Sequence, residues 1–400
     1  MAKIESDINT SLNQLYYCKI FIGEIEIVPE NILSLTIREW VTGVVPRLSL
    51  NLNDDGMLSE IFTLDDNAEI MVEIAKNADD TPIKFDFVLQ DYKFGLMGNN
   101  QSSVMEISGL LNAPDLFKVL NRSFSNMSSK DVISQIADEC GLTFVTPTGF
   151  STSDNMTWLQ CGISNYAMIV HVMERSFKSN DAVFCYCDVY KNLNMTSLNT
   201  ELDKDAINAR YDITNYTKDK FENTEDENTI WFNYYDYCNL SGFYNKTNNY
   251  GVEYTYYNLE EMISEAITQD ISLLAEKTFK DSDYINIVNN YNSILQNNVY
   301  DDYTKAMIQN DYFKKNFFCF NMTININPLG NVKLFDVLNV LIPSMPNYVG
   351  NEINDIHSGK YAIGGIVYSV GRNNIFQKQC VLFRDGMNDA KFTKKKSNNK

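Results

Sequence analysis

Residues 33–58, LSLTIREWVTGVVPRLSLNLNDDGML, constrain the fold of this chain more than any other stretch. Leu33, Leu35, Ile37 and Glu39 alternate with Ser34, Thr36, Arg38 and Trp40. Leu48, Leu50 and Leu52 then alternate with Ser49, Asn51 and Asn53. A period of two with one apolar face marks two half-buried strands. Thr42 and Gly43 supply the turn, and Pro46 marks entry to the second strand. Asp54, Asp55 and Gly56 close the corner, since glycine tolerates the positive φ such a corner needs. Nothing in the stretch is catalytic; it is scaffold.

The same period runs through the first 110 residues. QLYYCKIFIGEIEIV (14–28), EIMVEIAK (69–76), IKFDFVLQDYK (83–93) and residues 103–108 alternate in turn. Six or seven strands with short polar loops predict a small antiparallel sheet or barrel. Near residue 112 the period changes. Asn112 is placed to cap a helix carrying Leu116, Val119 and Leu120. Ser128 caps a second helix over 128–139, with Val132, Ile133, Ile136 and Ala137 on one stripe and Gly141 at its stop. Ser164 starts a third over 165–176, and DAVFCYCDVY (181–190) returns to strand. NLNMTSLNTELDKD has no period and reads as a boundary.

Strands resume over 205–257, where the dense tyrosines follow from β-propensity. From 260, Ile263, Ile267, Ile271 and Leu274 make one helical stripe. Tyr284, Ile287, Val288, Tyr291, Ile294 and Leu295 make another. The spacing predicts helices over 260–278 and 283–298, and a shorter one over 301–314. The last hundred residues are strands again: 317–327, 332–343, and a hairpin of 359–372 with 375–386 turning at Asn373 and Asn374.

The expected fold class is therefore α+β and β-rich, with two antiparallel β-barrel domains, an α/β insert and a helical insert. The expected domains are 1–111 (first β domain), 112–204 (α/β module), 205–257 with 315–390 (second β domain), 258–314 (helical insert) and 391–400 (basic flexible tail). Both β domains end in a hairpin followed by an acid–glycine corner, Asp55-Gly56 and Asp385-Gly386.

Length and charge narrow the class. At 400 residues the chain exceeds one ordinary core. Apolar residues make up 44% and charged residues 21%, the balance of a globular protein. No apolar run approaches the roughly 20 residues of a membrane span, and MAKIESDINT carries no secretory h-region. The eight cysteines are scattered and read as reduced thiols. The net charge is −19. The last ten residues hold five lysines and no acid; without them, 28 basic residues face 52 acidic ones, a charge of −24. Such a body disfavours a phosphate-binding surface and fits one that must not adhere to nucleic acid.

No catalytic, cofactor or metal residues are assigned. Two histidines, His171 and His357, limit acid–base chemistry. His171 lies near Cys161 in sequence, so a Cys–His nucleophile pair is conceivable, but no nucleophile elbow surrounds either and a structural histidine is the simpler reading. Cys185 and Cys187 share one face of a strand with no second pair at zinc spacing, which favours small buried hydrophobes over a metal site. Asp54–Asp55 and Asp301–Asp302 sit in turn-like contexts, weak ground for a glycosidase pair. Phosphate-loop, dinucleotide, zincin and hydrolase-elbow motifs are missing from the sequence.

A resemblance emerges from ordered features. After the first β block come S-x-K-D-V-I-x-x-I-A-x-E-x-G-L (128–142), D-N-M-T-W-L-Q (154–160) and a helix ending E-R-S-F (174–177). Near the end stand S-G-K-Y-A-I-G-G-I-V (358–367) and V-L-F-R-D-G-M-N (381–388). In order and spacing these resemble the baseplate central hub protein of contractile-tailed bacteriophages and, more remotely, the hub part of the type VI secretion spike protein. The likeness covers most of 31–190 and 316–388; residues 200–315 match poorly. It implies tube-type β domains and a homotrimeric structural virion protein, made in the host cytoplasm. Such a ring joins the hexameric tail tube to the trimeric central spike and lines the channel through which DNA is ejected without specific binding. Implied partners are the tail tube protein, the central spike, the tape measure protein and the baseplate wedge. No cofactor and no enzymatic activity are expected. A host-surface or glycan-binding tail protein is the alternative, and a tail-associated hydrolase a further one.

Overall fold

The computed structural model describes residues 17–54, 68–75, 79–97, 102–211, 229–232, 234–239, 252–258, 262–269, 273–274, 285–292, 299–326, 330–343, 353–354, 356–371 and 375–386. The chain is β-rich, as its period-two stretches predict.

The first β region holds β1 (Tyr17–Ile22), β2 (Ile25–Ile27), β3 (Ile32–Trp40), β4 (Arg47–Asn53), β5 (Glu69–Ala75), β6 (Ile83–Met97) and β7 (Ser102–Leu111). Gly23, at φ 58°, makes the β1–β2 turn that a side-chain-bearing residue would strain. The ladders run β2–β1–β5–β6–β7–β4–β3, all antiparallel. β2 and β3 are one strand broken by the short 3-10 turn Pro29–Asn31. The first half pairs with β1 and the second with β4, so six strands close on themselves. Closure leaves the ring without a terminal edge strand. The inward faces, including Ile20, Ile37, Leu50, Val72, Phe85 and Ile107, are buried.

Between the barrels in sequence lies the α/β module. It comprises β8 (Val119–Met127), α1 (Ser129–Glu139), β9 (Thr143–Val145), β10 (Met156–Ser164), α2 (Asn165–Glu174), β11 (Val183–Cys187), β12 (Asn192–Ser197) and the short α3 (Leu198–Leu202). Ser128 and Ser164 cap α1 and α2, accepting from Asp131 N and Ala167 N. Two expectations fail here. The helix expected after Asn112 is only a 3-10 turn, Pro114–Phe117, and β8 takes over at Val119. Pro114 fixes the turn, but the residues that follow, VLNRSFSNM, pair with β10 instead. The segment read as a boundary forms β12 and α3, because pairing with β11 and β9 overrides its polar character.

The second β region contains β13 (Ile207–Tyr211), β14 (Ile230–Phe232) and β15 (Tyr234–Asn239). It is completed by β19 (Phe320–Ile326), β20 (Val337–Leu341), β21 (Gly359–Gly371) and β22 (Phe376–Arg384). Its ladders run β14–β13–β20–β21–β22–β19–β15. β14 and β15 are separated by one residue, so this ring also closes through a broken strand. Tyr211, Phe232 and Tyr235 pack edge-on or tilted across the closure at 5.2–6.3 Å.

The two rings share one connectivity. β1 answers to β13, β2–β3 to β14–β15, β4 to β19, β5 to β20, β6 to β21 and β7 to β22, and every ladder of one ring has its counterpart in the other. Only the direction of β13 differs: its ladders to β14 and β20 are parallel.

The segment between β15 and β19 departs from expectation. β16 (Val252–Asn258), β17 (Ile263–Gln269) and β18 (Ile285–Asn292) form their own three-stranded sheet. Of the helices expected over 260–278 and 283–298, the described residues 263–269 and 285–292 are strands, and 273–274 are neither helix nor strand. ISEAITQ and INIVNNYN also carry period-two spacing and β-branched residues, and pairing with β16 decided between the two periods. β16 itself lies outside the second ring. The third expected helix is real: α4 spans Tyr303–Phe317. The residues 240–246, 387–388 and the tail 391–400 lie outside the described residues, as do Asp55 and Gly56.

Candidate functional site: the joint between the barrels

β21 is 13 residues long and its partner on one side changes midway. Val340 to Val337 pair with Gly359 to Ala362 of its first half. Trp40 to Ser34 of β3 pair with Gly365 to Gly371 of its second half. β22 runs along the other side from Ala362 to Val370. The two rings are thus joined by a direct antiparallel ladder. A bulge at Gly364 marks the change, and backbone bonds from Val41 N to Gly364 O, Phe335 N to Ile363 O and Ile363 N to Asp336 O fix both rings there at 2.7–2.9 Å.

The glycine pair is dictated by space. A Cβ on Gly364 would lie 2.2 Å from Phe383 Cδ2, and one on Gly365 would lie 2.5 Å from Trp40 Cε3. Gly-Gly inside an apolar strand, as in the motif 358–367, is a sequence signal for a bulge or close approach. Trp40 and Phe383 sit on either side, with centroids 6.4 Å apart.

Glu39 is the polar centre of the joint. It belongs to β3 and is 4% exposed. One carboxylate oxygen accepts from Val189 N of the module at 3.1 Å, and the other from Tyr368 Oη of β21 at 3.4 Å. One side chain therefore ties the first barrel, the module and the second barrel. Burial, above all, pushes its pKa up to about 7. Asp188 pushes in the same direction, while the Val189 N–H, Lys378 and the Tyr368 hydroxyl oppose it. Lys378 lies mostly buried nearby; its Nζ donates to Gly330 O at 2.7 Å and sits 5.2 Å above the Tyr368 ring. The sequence signal of this group is an acid, Glu39, on the apolar face that Leu33, Leu35 and Ile37 define.

Around this joint the module is held from two sides. The turn after β11 meets the first barrel: Lys191 Nζ bonds Asp86 at 2.6 Å, Asn112 Nδ2 donates to the other Asp86 oxygen at 3.0 Å, and Cys187 N donates to Val44 O at 2.9 Å. On the other side α4 acts as a latch. Gln309 and Asn310 are buried. Gln309 donates to Lys178 O at 2.7 Å and to Asp181 O, and accepts from Asn180 N at 3.1 Å. Asn310 donates to Ser176 O at 2.8 Å and Glu174 O at 3.1 Å. Arg175 Nε donates to Tyr303 Oη at 2.7 Å. The unusual signal was a Gln-Asn pair beside Ile308, Tyr312 and Phe313 on the buried face.

The ordered motifs of the sequence converge on one buried polar network within the module. Asp154 accepts from Ser129 N, Ser129 Oγ, Thr152 Oγ1 and Phe177 N at 2.6–2.8 Å, so the first, second and third motifs meet at one carboxylate. Trp158 Nε1 donates to Met127 O at 2.9 Å. Gln160, Arg122 and Asn165 form a second cluster at 2.8–3.0 Å. These residues are spaced as they are because they lock a fold.

The residues weighed for chemistry are dispersed. Cys185 and Cys187 point from β11 into the module core while Phe184 and Tyr186 point into the other core, so both faces of that strand are buried. Burial pushes both thiols far up, the opposite of a nucleophile or metal ligand. Cys161 is exposed on β10, and no hydrogen bond joins it to His171 among the described residues. Burial, then Arg175, lowers the His171 pKa. His357 stacks on Tyr237 at 4.3 Å and bonds Asn354 at 3.0 Å. Asp54 is buried, and Asp302 pairs with Lys305 at 3.7 Å at the start of α4. No cluster of three metal-ligating side chains occurs among the described residues. No helix among them is long and apolar enough to cross a membrane.

Comparisons with known proteins bear on the fold. No family model matches the sequence, and no curated protein matches it. Solved structures do. The tail protein from Neisseria meningitidis MC58 superposes with a TM-score of 0.54 at 11% identity, over 92% of this chain and 97% of that one. The 43 kDa tail protein of prophage MuSo2 from Shewanella oneidensis gives 0.56 at 9% identity, over 92% and 99%. The Francisella PdpA-VgrG complex gives 0.50 at 11% identity, over 93% of this chain and 53% of that one. Over 92% of its length this chain, with its two barrels of one connectivity joined strand to strand, thus shares the fold of these two tail proteins.

Proposed function

We propose that the chain is the central hub of a contractile phage-tail baseplate: three copies form a ring between the sixfold tail tube and the threefold spike. The carrying observation is the duplicated barrel. Two six-stranded rings of one connectivity in a single chain give six similar modules per trimer, the number needed to meet a sixfold tube while keeping the symmetry of a threefold spike. The division into two tube-type domains, an α/β module, a second sheet with its latch helix and a basic tail belongs to this reading. So do the partners: tube, spike, tape measure and wedge. The chain acts in the virion as a structural part, not as an enzyme. Its acidic body, −24 without the last ten residues, suits a lumen through which DNA slides without adhering.

Co-expression with the tube and spike proteins of the same tail tests the reading. The expected result is one complex that nucleates tube growth on one face and holds one spike on the other. A protein that binds neither, and instead binds host glycans, would support the host-binding alternative.

A further inference from the structure

The intrachain joint uses β3 of the first barrel and the second half of β21 of the second. By the shared connectivity, the counterpart of β3 in the second barrel is β15, and the counterpart of β21 in the first barrel is β6. Both counterparts are open where the joint would lie. β6 pairs with β5 only over Ile83 to Val88, and Leu89 N donates to Ala68 O. Then comes a bulge between Leu89 and Asp91, placed as the bulge in β21 is placed. Beyond it, no backbone partner lies on that side of residues 91–97 among the described residues. Among the described residues, β15 pairs with β19 alone.

Side chains show the same gap. In the joint, Ile366 and Tyr368 are buried, 0% and 5% exposed, against β3. Their counterparts across the bulge, Tyr92 and Phe94, lie 52% and 43% exposed, although their neighbours Ile107 and Met105 on β7 are buried. Ile37 of β3 is buried, while its counterpart Tyr237 is 49% exposed. Aromatic side chains on a core-facing register stand open at both sites.

We infer, on the basis of the ring reading, that residues 92–97 of one chain pair antiparallel with residues 234–239 of a second copy, repeating the intrachain joint between chains. Matching the bulges and the β4 and β19 ladders sets the register: Tyr92 opposite Asn239, Lys93 opposite Cys238, Phe94 opposite Tyr237, and Met97 opposite Tyr234. Phe94 and Tyr237 then form a cross-strand aromatic pair, and Lys93 lies diagonal to Asp236. The contact is head-to-tail, and it closes when three copies have joined.

Directly opposed residues of an antiparallel pair have Cα atoms about 4.5–5.5 Å apart, within disulfide range. Cys238 is exposed and free, and the Lys93 side chain is 78% exposed, so Lys93→Cys is a mild change. The full-length Lys93→Cys protein is oxidised gently, alone and with tube and spike proteins, and its mass is measured in parallel. Expected are covalent dimers and trimers that vanish on reduction and fall at least tenfold in Lys93→Cys/Cys238→Ser and in Tyr92→Cys, whose side chain takes the other face. A three-chain mass without that cross-link overturns this joint and leaves the ring reading standing. A one-chain mass under every condition overturns both.

Discussion

The two barrels share a connectivity but were assembled differently. The first is built from residues 17–111 in one run, and every ladder is antiparallel. The second is split: β13 to β15 end at residue 239 and β19 starts at 320, with a separate sheet and α4 between. One of its strands runs the other way. The first barrel is held by neighbours in sequence; the second depends on contacts closed across long loops, which cost more entropy and form later. Where the barrels meet, the second barrel adapts: it supplies the two glycines, while the bulge of β6 carries Gln90 and Asp91 at the equivalent places. A connectivity can therefore be kept while crowding at an interface sets local sequence.

The largest test of that contrast is a pair of bulge substitutions. Gly364→Val forces a side chain into the Phe383 ring and should cost about 3 kcal/mol in denaturant unfolding. Gln90→Val at the equivalent bulge should stay within about 0.5 kcal/mol. Equal losses at both would mean that the bulges are not counterparts.

Next comes the latch. Gln309→Ala leaves two carbonyls and one N–H of the module without their partner. The expected loss is about 2 kcal/mol, with protease cleavage appearing first between residues 174 and 183. An effect confined to the second barrel would show that α4 serves that barrel alone.

The joint should also be sensitive to pH on one side only. Glu39 has a folded pKa near 7, above its ordinary value of 4.5, so the folded chain binds more protons between those values. Its contribution to stability therefore falls as pH rises through that window, by about 2 kcal/mol between pH 5 and 8. The half-buried histidines His171 and His357, with lowered pKa values, act in the opposite sense. Comparing wild type with Glu39→Gln isolates the carboxyl: the variant should lose the fall. The counterpart position in β15 is Asn239, which does not titrate, so a contact formed there should not follow this curve. Smallest of all, deleting 391–400 should leave the number of chains in the oligomer unchanged.

Much of the first barrel was legible. Alternation in 33–53 and 83–93 announced both strands and inward faces, because one face is core and the other solvent. Helix caps at Ser128 and Ser164 were equally plain. The stretches 263–269 and 285–292 were misread since short apolar runs satisfy both periods, and only β16 settles which is used. The joint stayed hidden for a different reason. Its parts, Glu39, Val189, Gly364, Tyr368 and Phe383, are up to 344 positions apart, from Glu39 to Phe383, and no local pattern links them. Gln309 and Asn310 gave a local signal, a polar pair on an apolar face, whose meaning needed the carbonyls of 174–181.

The central claim is that two equivalent barrels per chain make a sixfold wall from three chains. Sedimentation together with two-dimensional class averages of the particle, with tube and spike proteins present, tests it most directly. The account predicts three copies of the 45.9 kDa chain around a central channel, with six similar densities alternating in two kinds. A particle of one chain, or a ring of any other number, would contradict it.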